Sequence, residues 1–386
     1  MTQLSRRSLL LGSAAVASAA LLPATAGSAA ASTTSTALHL LRPTGPYPVG
    51  ATSRYLRDTS RPDPWVPTMT ARELMITIWY PTHDRRGDSW QYMTAEESRL
   101  FLEGKRYTEL PPDILSTVRT FAYAEAKPMG RPGSLPLVIL SPGYTQPRNS
   151  LSALAEDLAS HGYVVVAVDH TYETYAVTFP DGRVAGCDTC AYDDDRTFFA
   201  RLYEVRAADV SFVLDQLLGS RPVWSGGHLI DPRRIGMSGH SAGGASAIPA
   251  MLADRRIRAG IDMDGSSSGY TPPTALAGPF MLLGTESFHS PGGPDASWAL
   301  DWQSMTGWKR WITVAGTEHA SFNDLALFGE QLGIDFGATT TGTRSTQITR
   351  RLNRAMFDRH LRHRPEPLLD RADPRYPEVV VADAGN

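Results

Sequence analysis

The stretch RIGMSGHSAGG, residues 234–244, carries the clearest information about the fold. A short apolar run leads into Ser241, and Gly239 and Gly243 stand two residues before and two residues after that serine. This pattern between a strand and a helix is typical of a strained turn that lifts a serine hydroxyl clear of a sheet. Side chains at the two glycine positions would collide with each other or with the neighbouring strand. We therefore predict that Ser241 is a nucleophile, with a purely structural turn as the alternative.

Strands and helices alternate along the chain on both sides of this stretch. Short β-branched runs alternate with helical patterns from about residue 70 onward, as in βαβ units. Runs that are apolar on both faces, such as YVVVAV at 163–168, suit central strands covered by helices on both sides. The sequence therefore predicts one α/β domain with a mostly parallel sheet flanked by helices. The predicted strands are 74–80, 137–140, 163–168, 234–238, 258–263, 280–283 and 311–314, and the predicted helices are about 149–160, 197–218, 242–253, 294–305 and 346–361.

Two segments do not fit this alternation. Within 90–130, four apolar residues at helical spacing follow Pro111-Pro112 and predict a helix that either packs on the core or covers a substrate pocket. These residues are Ile114, Leu115, Val118 and Phe121. The segment 171–196 ends with three adjacent aspartates, 193–195, which either are solvated or hold calcium.

The first 31 residues have the features of an export signal. Arg6 and Arg7 precede a moderately apolar stretch rich in alanine and serine, and this order resembles a twin-arginine signal. An ordinary secretory signal or an uncleaved anchor are the alternatives. We expect residues 32–386 to form a single catalytic domain with the insertion at 90–130.

Composition bounds the partners of this domain. The chain has 386 residues, 42% of them hydrophobic and 20% charged, with a net charge of −3 and no block of basic residues. This balance argues against a nucleic-acid surface. No segment after the signal approaches the roughly twenty apolar residues of a membrane span. We expect a secreted monomer with at most peripheral contact with lipid surfaces.

Two cysteines, Cys187 and Cys190, are the complete cysteine content of the chain. A zinc ribbon would need a second such pair or histidines at ligand spacing, and neither is present. We expect a local disulfide formed after export, which would pin one loop. Free thiols and a redox site are the alternatives.

A nucleophilic serine needs a base and an acid. His319 lies in a loop after the last predicted strand, where the base of this architecture is expected. Two places could supply the acid. Asp264 stands at the end of the strand after the serine's own, with Asp262 a more deeply placed structural residue, and Glu286 follows the next strand.

The oxyanion donors are expected in two loops. The backbone N–H of Ala242 lies at a helix N-terminus directly after the serine. A second donor should follow an earlier strand, where SPGYT at 141–145 places the amide of Tyr144. A simple Pro-Gly turn is the alternative for that loop.

These residues together carry a resemblance. The order Ser241, Asp264, His319, with SPGYTQPR at 141–148 and DLASHGYVVVAVDH at 157–170, resembles the α/β-hydrolase superfamily, and most closely its platelet-activating-factor acetylhydrolase group. The resemblance spans about residues 43–362. It implies an α/β-hydrolase fold, a secreted serine esterase or lipase, an acyl-enzyme intermediate on a small-molecule or lipid ester, and no metal or organic cofactor. In that family the acid follows the strand after the nucleophile's own, which favours Asp264.

One departure leaves the substrate open. The family often has His-Gly where this chain has Pro142-Gly143, and SPGYT is similar to the same loop in cutinase-like polyester hydrolases. Those enzymes usually place the acid one strand later, at the position of Glu286. A cutinase or triacylglycerol lipase is therefore an alternative, and four tryptophans before the histidine loop would either line its cleft or belong to the core. They are Trp298, Trp302, Trp308 and Trp311. A binding protein that has lost its chemistry and a peptidase are further alternatives.

Overall fold

The architecture is that of a large twisted sheet with helices on both faces. The computed structural model describes residues 37–192, 195 and 197–382. The export signal at 1–31, Asp193 and Asp194 lie outside the described residues. In the described part of the chain no helix is long and apolar enough to cross a membrane.

Ten of the strands in the described ranges form one sheet. They are β1 (Val49–Asp58), β2 (Arg72–Pro81), β3 (Ala122–Ala124), β4 (Leu135–Ser141), β5 (Val164–Asp169), β8 (Ile230–His240), β9 (Ile257–Met263), β10 (Phe280–Thr285), β11 (Lys309–Val314) and β12 (Val379–Val381), with a separate hairpin of β6 (Val177–Thr178) and β7 (Val184–Ala185). The order across the sheet is β12-β11-β10-β9-β8-β4-β5-β2-β1-β3. The six strands from β11 to β5 are mutually parallel, and β2 and β12 pair antiparallel at the two sides.

The helices cover both faces of this sheet. They are α1 (Ala95–Gly104), α2 (Ser152–Ser160), α3 (Phe198–Leu218), α4 (Ala242–Ala245), α5 (Ala247–Ala253), α6 (Glu286–His289), α7 (Ser297–Ser304), α8 (Asp324–Leu332) and α9 (Gly342–Arg362). Alternate residues of β5 face opposite layers: Val165 packs with α2 and α9, whereas Val166 packs with α3 and α5. This two-sided burial explains the continuous apolar run in the sequence. The α/β-hydrolase prediction is confirmed.

The seven predicted strands are all present, with ends that differ by a few residues. The outer strands β1, β3 and β12 were not predicted. The sequence of β1, VGATSRYLRD, mixes apolar and polar residues. The prediction of a helix through Phe121 was wrong. Ile114–Thr117 forms a single 3-10 turn, and the chain becomes extended at Val118. The long helix of this insertion is α1, whose first turn is capped by Thr94 and Glu97.

The register of the parallel strands brings several loops to one edge. Gly239 of β8 pairs with Asp262 of β9, and β10 and β11 continue the same direction. The carboxyl ends of β8, β9, β10 and β11 therefore lie side by side. Ser241, Asp264, Glu286 and His319 follow these four ends in turn.

Candidate active site

Ser241 lies at the sharp turn between β8 and α4. Its backbone has φ 55° and ψ −126°, a conformation that a residue with a side chain adopts only under strain. Hydrogen bonds hold the turn in place: the Ser241 amide donates to the Met263 carbonyl at 2.8 Å, and the Ala245 amide donates to the Ser241 carbonyl at 3.0 Å. The strained turn directs the serine side chain into a pocket.

The two flanking glycines allow this turn because their surroundings leave no room for a Cβ. A Cβ on Gly239 would lie 2.2 Å from the carbonyl carbon of Gly243, and a Cβ on Gly243 would lie 2.0 Å from the Ser141 carbonyl oxygen. Both distances are far below van der Waals contact. The turn is thus packed against itself and against the end of β4.

Asp264 is the hydrogen-bond partner of His319. It follows β9 directly, has φ 59°, and its Oδ2 accepts a hydrogen bond from Nδ1 of His319 at 2.6 Å. Its Oδ1 accepts from the Thr285 amide at 2.8 Å and faces Nδ1 of His289 at 2.7 Å. Burial would raise the pKa of Asp264, but the hydrogen bonds from His289 and His319 outweigh it and hold the pKa well below its usual value. Asp264 is therefore an ionised, buried acceptor.

The other candidate acids do not bind His319. Glu286 is the exposed first residue of α6, and the described contacts of His319 join it to Asp264. Asp262 is buried, and its Oδ1 accepts from the Gly265 amide at 2.9 Å. Burial raises the pKa of Asp262 well above its usual value, and the bond to Gly265 gives this side chain a structural place in the turn.

His319 opens a 3-10 turn after β11 and keeps 57% of its side chain exposed. Because Nδ1 donates to Asp264, Nε2 is the ring nitrogen left to face the pocket. The side chains of Ser241, Asp264 and His319 all line this pocket, whose volume is about 310 Å³. The wall also contains aromatic and hydroxyl side chains, namely Phe199, Tyr203, Ser266, Ser268 and Phe288.

The predicted oxyanion loop packs against the serine. A Cβ on Gly143 would lie 3.3 Å from Cβ of Ser241, so the turn at 142–145 adjoins this serine. The Tyr144 ring packs edge-on against Phe198 and Phe199, at 5.4 and 5.6 Å between ring centroids. Ala242, the first residue of α4, is buried beside the same pocket.

A buried network of charged side chains packs against the loop at 142–145. Arg206 of α3 donates to the Pro142 carbonyl at 2.5 Å and to Glu173 at 2.7 Å. Arg72 joins the network through Glu173, at 3.6 Å, and also binds Asp209, at 2.8 Å. These four charged side chains are at most 1% exposed. The sequence offered no sign of this support, because its members are far apart along the chain.

The residue before the serine, His240, also contributes to the site. Its Nε2 lies 2.9 Å from the His319 carbonyl oxygen, and its ring packs against the His319 ring at 4.6 Å between centroids. Burial and the neighbouring His319 lower the pKa of His240 to about 3, so it is neutral. A neutral His240 that donates to the His319 carbonyl holds the His319 loop next to the Ser241 turn.

The insertion at 90–130 reaches the predicted oxyanion loop through Lys105, which follows α1. Its Nζ donates to Oγ1 of Thr145 at 2.7 Å, and burial lowers the pKa of Lys105 to about 8.

The disulfide between Cys187 and Cys190 is formed and lies against the loop that carries Tyr144. Sγ of Cys187 lies 3.9 Å from the Tyr144 hydroxyl. The expected disulfide therefore pins a loop beside the site.

The four tryptophans are not among the side chains that line this pocket. Trp298 and Trp311 are buried in the core, and the Trp298 ring stacks on His289.

Among the described residues no cluster of three metal-ligating side chains is present. Asp195 is the one member of the aspartate run that the structure describes.

Comparison with known proteins identifies the family of this chain. Residues 32–194 and 226–363 match the family described as platelet-activating factor acetylhydrolase, isoform II. The chain belongs to this family. A protein of Arthroderma benhamiae named "Probable 1-alkyl-2-acetylglycerophosphocholine esterase" is 26% identical over 89% of this chain and 94% of its own length. The platelet-activating factor acetylhydrolase of Cavia porcellus is 24% identical over 73% of this chain and 68% of its own length.

A solved structure is similar over nearly its whole length. The ferulic acid esterase from Streptomyces cinnamoneus is 39% identical, with a TM-score of 0.80, and the match covers 89% of this chain and 99% of that one. Like its relatives in the acetylhydrolase family, this chain is a carboxylic ester hydrolase.

Proposed function

We propose that this acetylhydrolase-family chain hydrolyses esters through a triad of Ser241, His319 and Asp264. The observation that supports it most directly is the 2.6 Å hydrogen bond from Nδ1 of His319 to buried Asp264, in the pocket that Ser241 also lines. The strained backbone of Ser241 is a second support, since such strain is kept where function requires it.

The proposed mechanism follows from the hydrogen bond of His319, which engages Nδ1 and leaves Nε2 available for proton transfer. Nε2 takes the proton of Ser241 as Oγ attacks the ester carbonyl carbon, and the carbonyl oxygen becomes an oxyanion. The amides of Tyr144 and Ala242 are the proposed donors to that oxyanion. Nε2 then gives the proton to the leaving alcohol, and the acyl group stays on Oγ. Water, deprotonated by Nε2, attacks the acyl-enzyme and releases the acid.

The size of the pocket favours a compact acyl group. About 310 Å³ lies at the lower end of the range of small-molecule sites. We propose short acyl esters, such as the acetyl group that the names of two relatives specify. A second candidate is an aromatic acyl group, because Phe199, Tyr203 and Phe288 line the pocket and the similar Streptomyces enzyme is a ferulic acid esterase.

Steady-state hydrolysis tests both parts of this proposal. With p-nitrophenyl acetate, Ser241→Ala should lose at least about 10⁴-fold in kcat while its circular dichroism stays unchanged. Turnover retained in this variant would overturn the triad. The ratio of kcat/KM for methyl ferulate to that for methyl acetate decides between the acyl classes, and p-nitrophenyl palmitate is expected to be poor. Efficient palmitate hydrolysis would instead favour the lipase or cutinase alternative.

We also propose export by the twin-arginine route. Arg6 and Arg7 before an apolar stretch support it, as does a disulfide, which suits an oxidising compartment. Replacing both arginines with lysine should abolish esterase activity in the medium of expressing bacteria and retain it inside the cells. Unchanged secretion of the double variant would contradict this route.

A further inference from the structure

His289 is a buried histidine that contacts the proposed catalytic acid. It is the last residue of α6, 1% exposed, and its Nδ1 lies 2.7 Å from Oδ1 of Asp264. On the other side of the ring, Nε2 lies 3.2 Å from Oδ2 of Asp295. The ring stacks on Trp298 with 4.1 Å between centroids. Asp264 is thus held between His289 and His319.

The hydrogen-bond partners fix the protonation of His289. Asp295 also accepts from the amide and the hydroxyl of Ser297, at 2.8 and 2.9 Å, so its carboxylate acts as an acceptor. An imidazole with an acceptor at each nitrogen needs two N–H groups, and this is the cation. Burial alone would lower the pKa of His289, but the hydrogen bonds to Asp264 and Asp295 outweigh it and raise the pKa to about 9.

We propose that His289 is a positioning residue, a fixed imidazolium that holds Oδ1 of Asp264 so that Oδ2 is directed at His319. This inference rests on the triad of the proposed function. With Oδ1 bound to His289 and to the Thr285 amide, rotation of the Asp264 carboxylate would break two hydrogen bonds. The stacking on Trp298 and the contact with Asp295 keep the imidazolium itself in place.

The positive charge of His289 also affects the electrostatic environment of Asp264 and His319. The ionisable groups that face it are Asp264, Asp295, Asp262 and, across Asp264, His319. A cation next to Asp264 offsets part of the negative charge that stabilises a protonated His319. The positioned cation therefore opposes a second positive charge on the His319 ring. Its loss should move the acid limb of the pH–rate profile to higher pH.

The variant His289→Asn keeps a hydrogen-bond donor and removes the charge. We expect kcat to fall at least about ten-fold with KM within about two-fold, and the midpoint of the acid limb of kcat/KM to rise by about one pH unit. The matched control is His161→Asn, a partly buried histidine that binds Thr44 and Arg354 at the opposite end of the molecule. It should leave both kinetic constants and the pH profile unchanged.

A purely structural histidine would give a different result. His289→Asn with an unshifted acid limb, or with a kcat like that of the control, would overturn the positioning role. ¹⁵N NMR of the imidazole rings tests the wild-type protein without any variant: one histidine should remain doubly protonated at about pH 8. A spectrum with no such ring at that pH would also overturn it. Activity retained in Ser241→Ala is the separate result that would remove the triad on which this inference rests.

Discussion

Asp264 is the candidate acid that the contacts of the site favour over Glu286. It is buried, ionised and bonded to His319, whereas Glu286 is exposed at the start of α6. We expect Asp264→Asn to lose about 10³-fold or more in kcat, because an amide no longer fixes the tautomer and the charge of the base. Glu286→Gln is the matched control and should stay within about two-fold of wild type. A larger loss in Glu286→Gln would place the acid after β10 instead.

His240 and His289 are residues whose roles could not be read from the sequence. The histidine before the serine was visible in the motif, but its bond to the His319 carbonyl depends on a turn about 80 positions away. His289 comes close to Asp264 because β9 and β10 pair in parallel. A contact across neighbouring strands leaves no spacing signal in one chain. The serine turn, in contrast, was predictable because the glycines that it requires stand within five residues of sequence, 239–243.

Helix α3 links the core to the oxyanion loop through Arg206. This side chain is 1% exposed and binds both Glu173 and the Pro142 carbonyl. Arg206→Met should lower the free energy of unfolding by about 3 kcal/mol or more, because Glu173 and a carbonyl would lose a buried cationic partner. It should also lower kcat, since the loop that carries Tyr144 would be less firmly held.

Urea unfolding and p-nitrophenyl acetate hydrolysis measure these two effects. The exposed Arg221→Met is the control and should change the free energy of unfolding by no more than about 0.5 kcal/mol. Equal stability of Arg206→Met and wild type would contradict the supporting role of the buried network.

In the insertion at 90–130, apolar spacing alone predicted the wrong helix. Leu115 and Val118 are buried at a helical spacing, yet Pro111-Pro112 and the extended backbone at Val118 limit this stretch to one 3-10 turn. The signal for α1 was present in Thr94-Ala-Glu-Glu97, a capping box whose two reciprocal hydrogen bonds are formed. Capping residues would therefore have located the helix that apolar spacing placed too late.

The whole molecule brings four sequence-distant loops to one edge of its sheet. Alternation of apolar runs was enough to predict the parallel centre, because strands buried on both faces have a distinctive composition. The outer strands were not predictable in the same way, because β1 mixes polar and apolar residues and β12 is only three residues long. The proposed triad follows the ends of these central strands, and so its serine, acid and base could be predicted from the sequence.

Covalent trapping tests the central claim most directly, because an acyl-enzyme requires a reactive serine at one position. The protein is treated with diethyl p-nitrophenyl phosphate, which phosphorylates an activated serine, and the labelled peptide is identified by mass spectrometry. We expect one diethylphosphoryl group per chain, on Ser241, with hydrolysis lost in proportion to labelling and no label on Ser241→Ala. A label on another residue, or full labelling of Ser241→Ala, would contradict the assignment of the nucleophile.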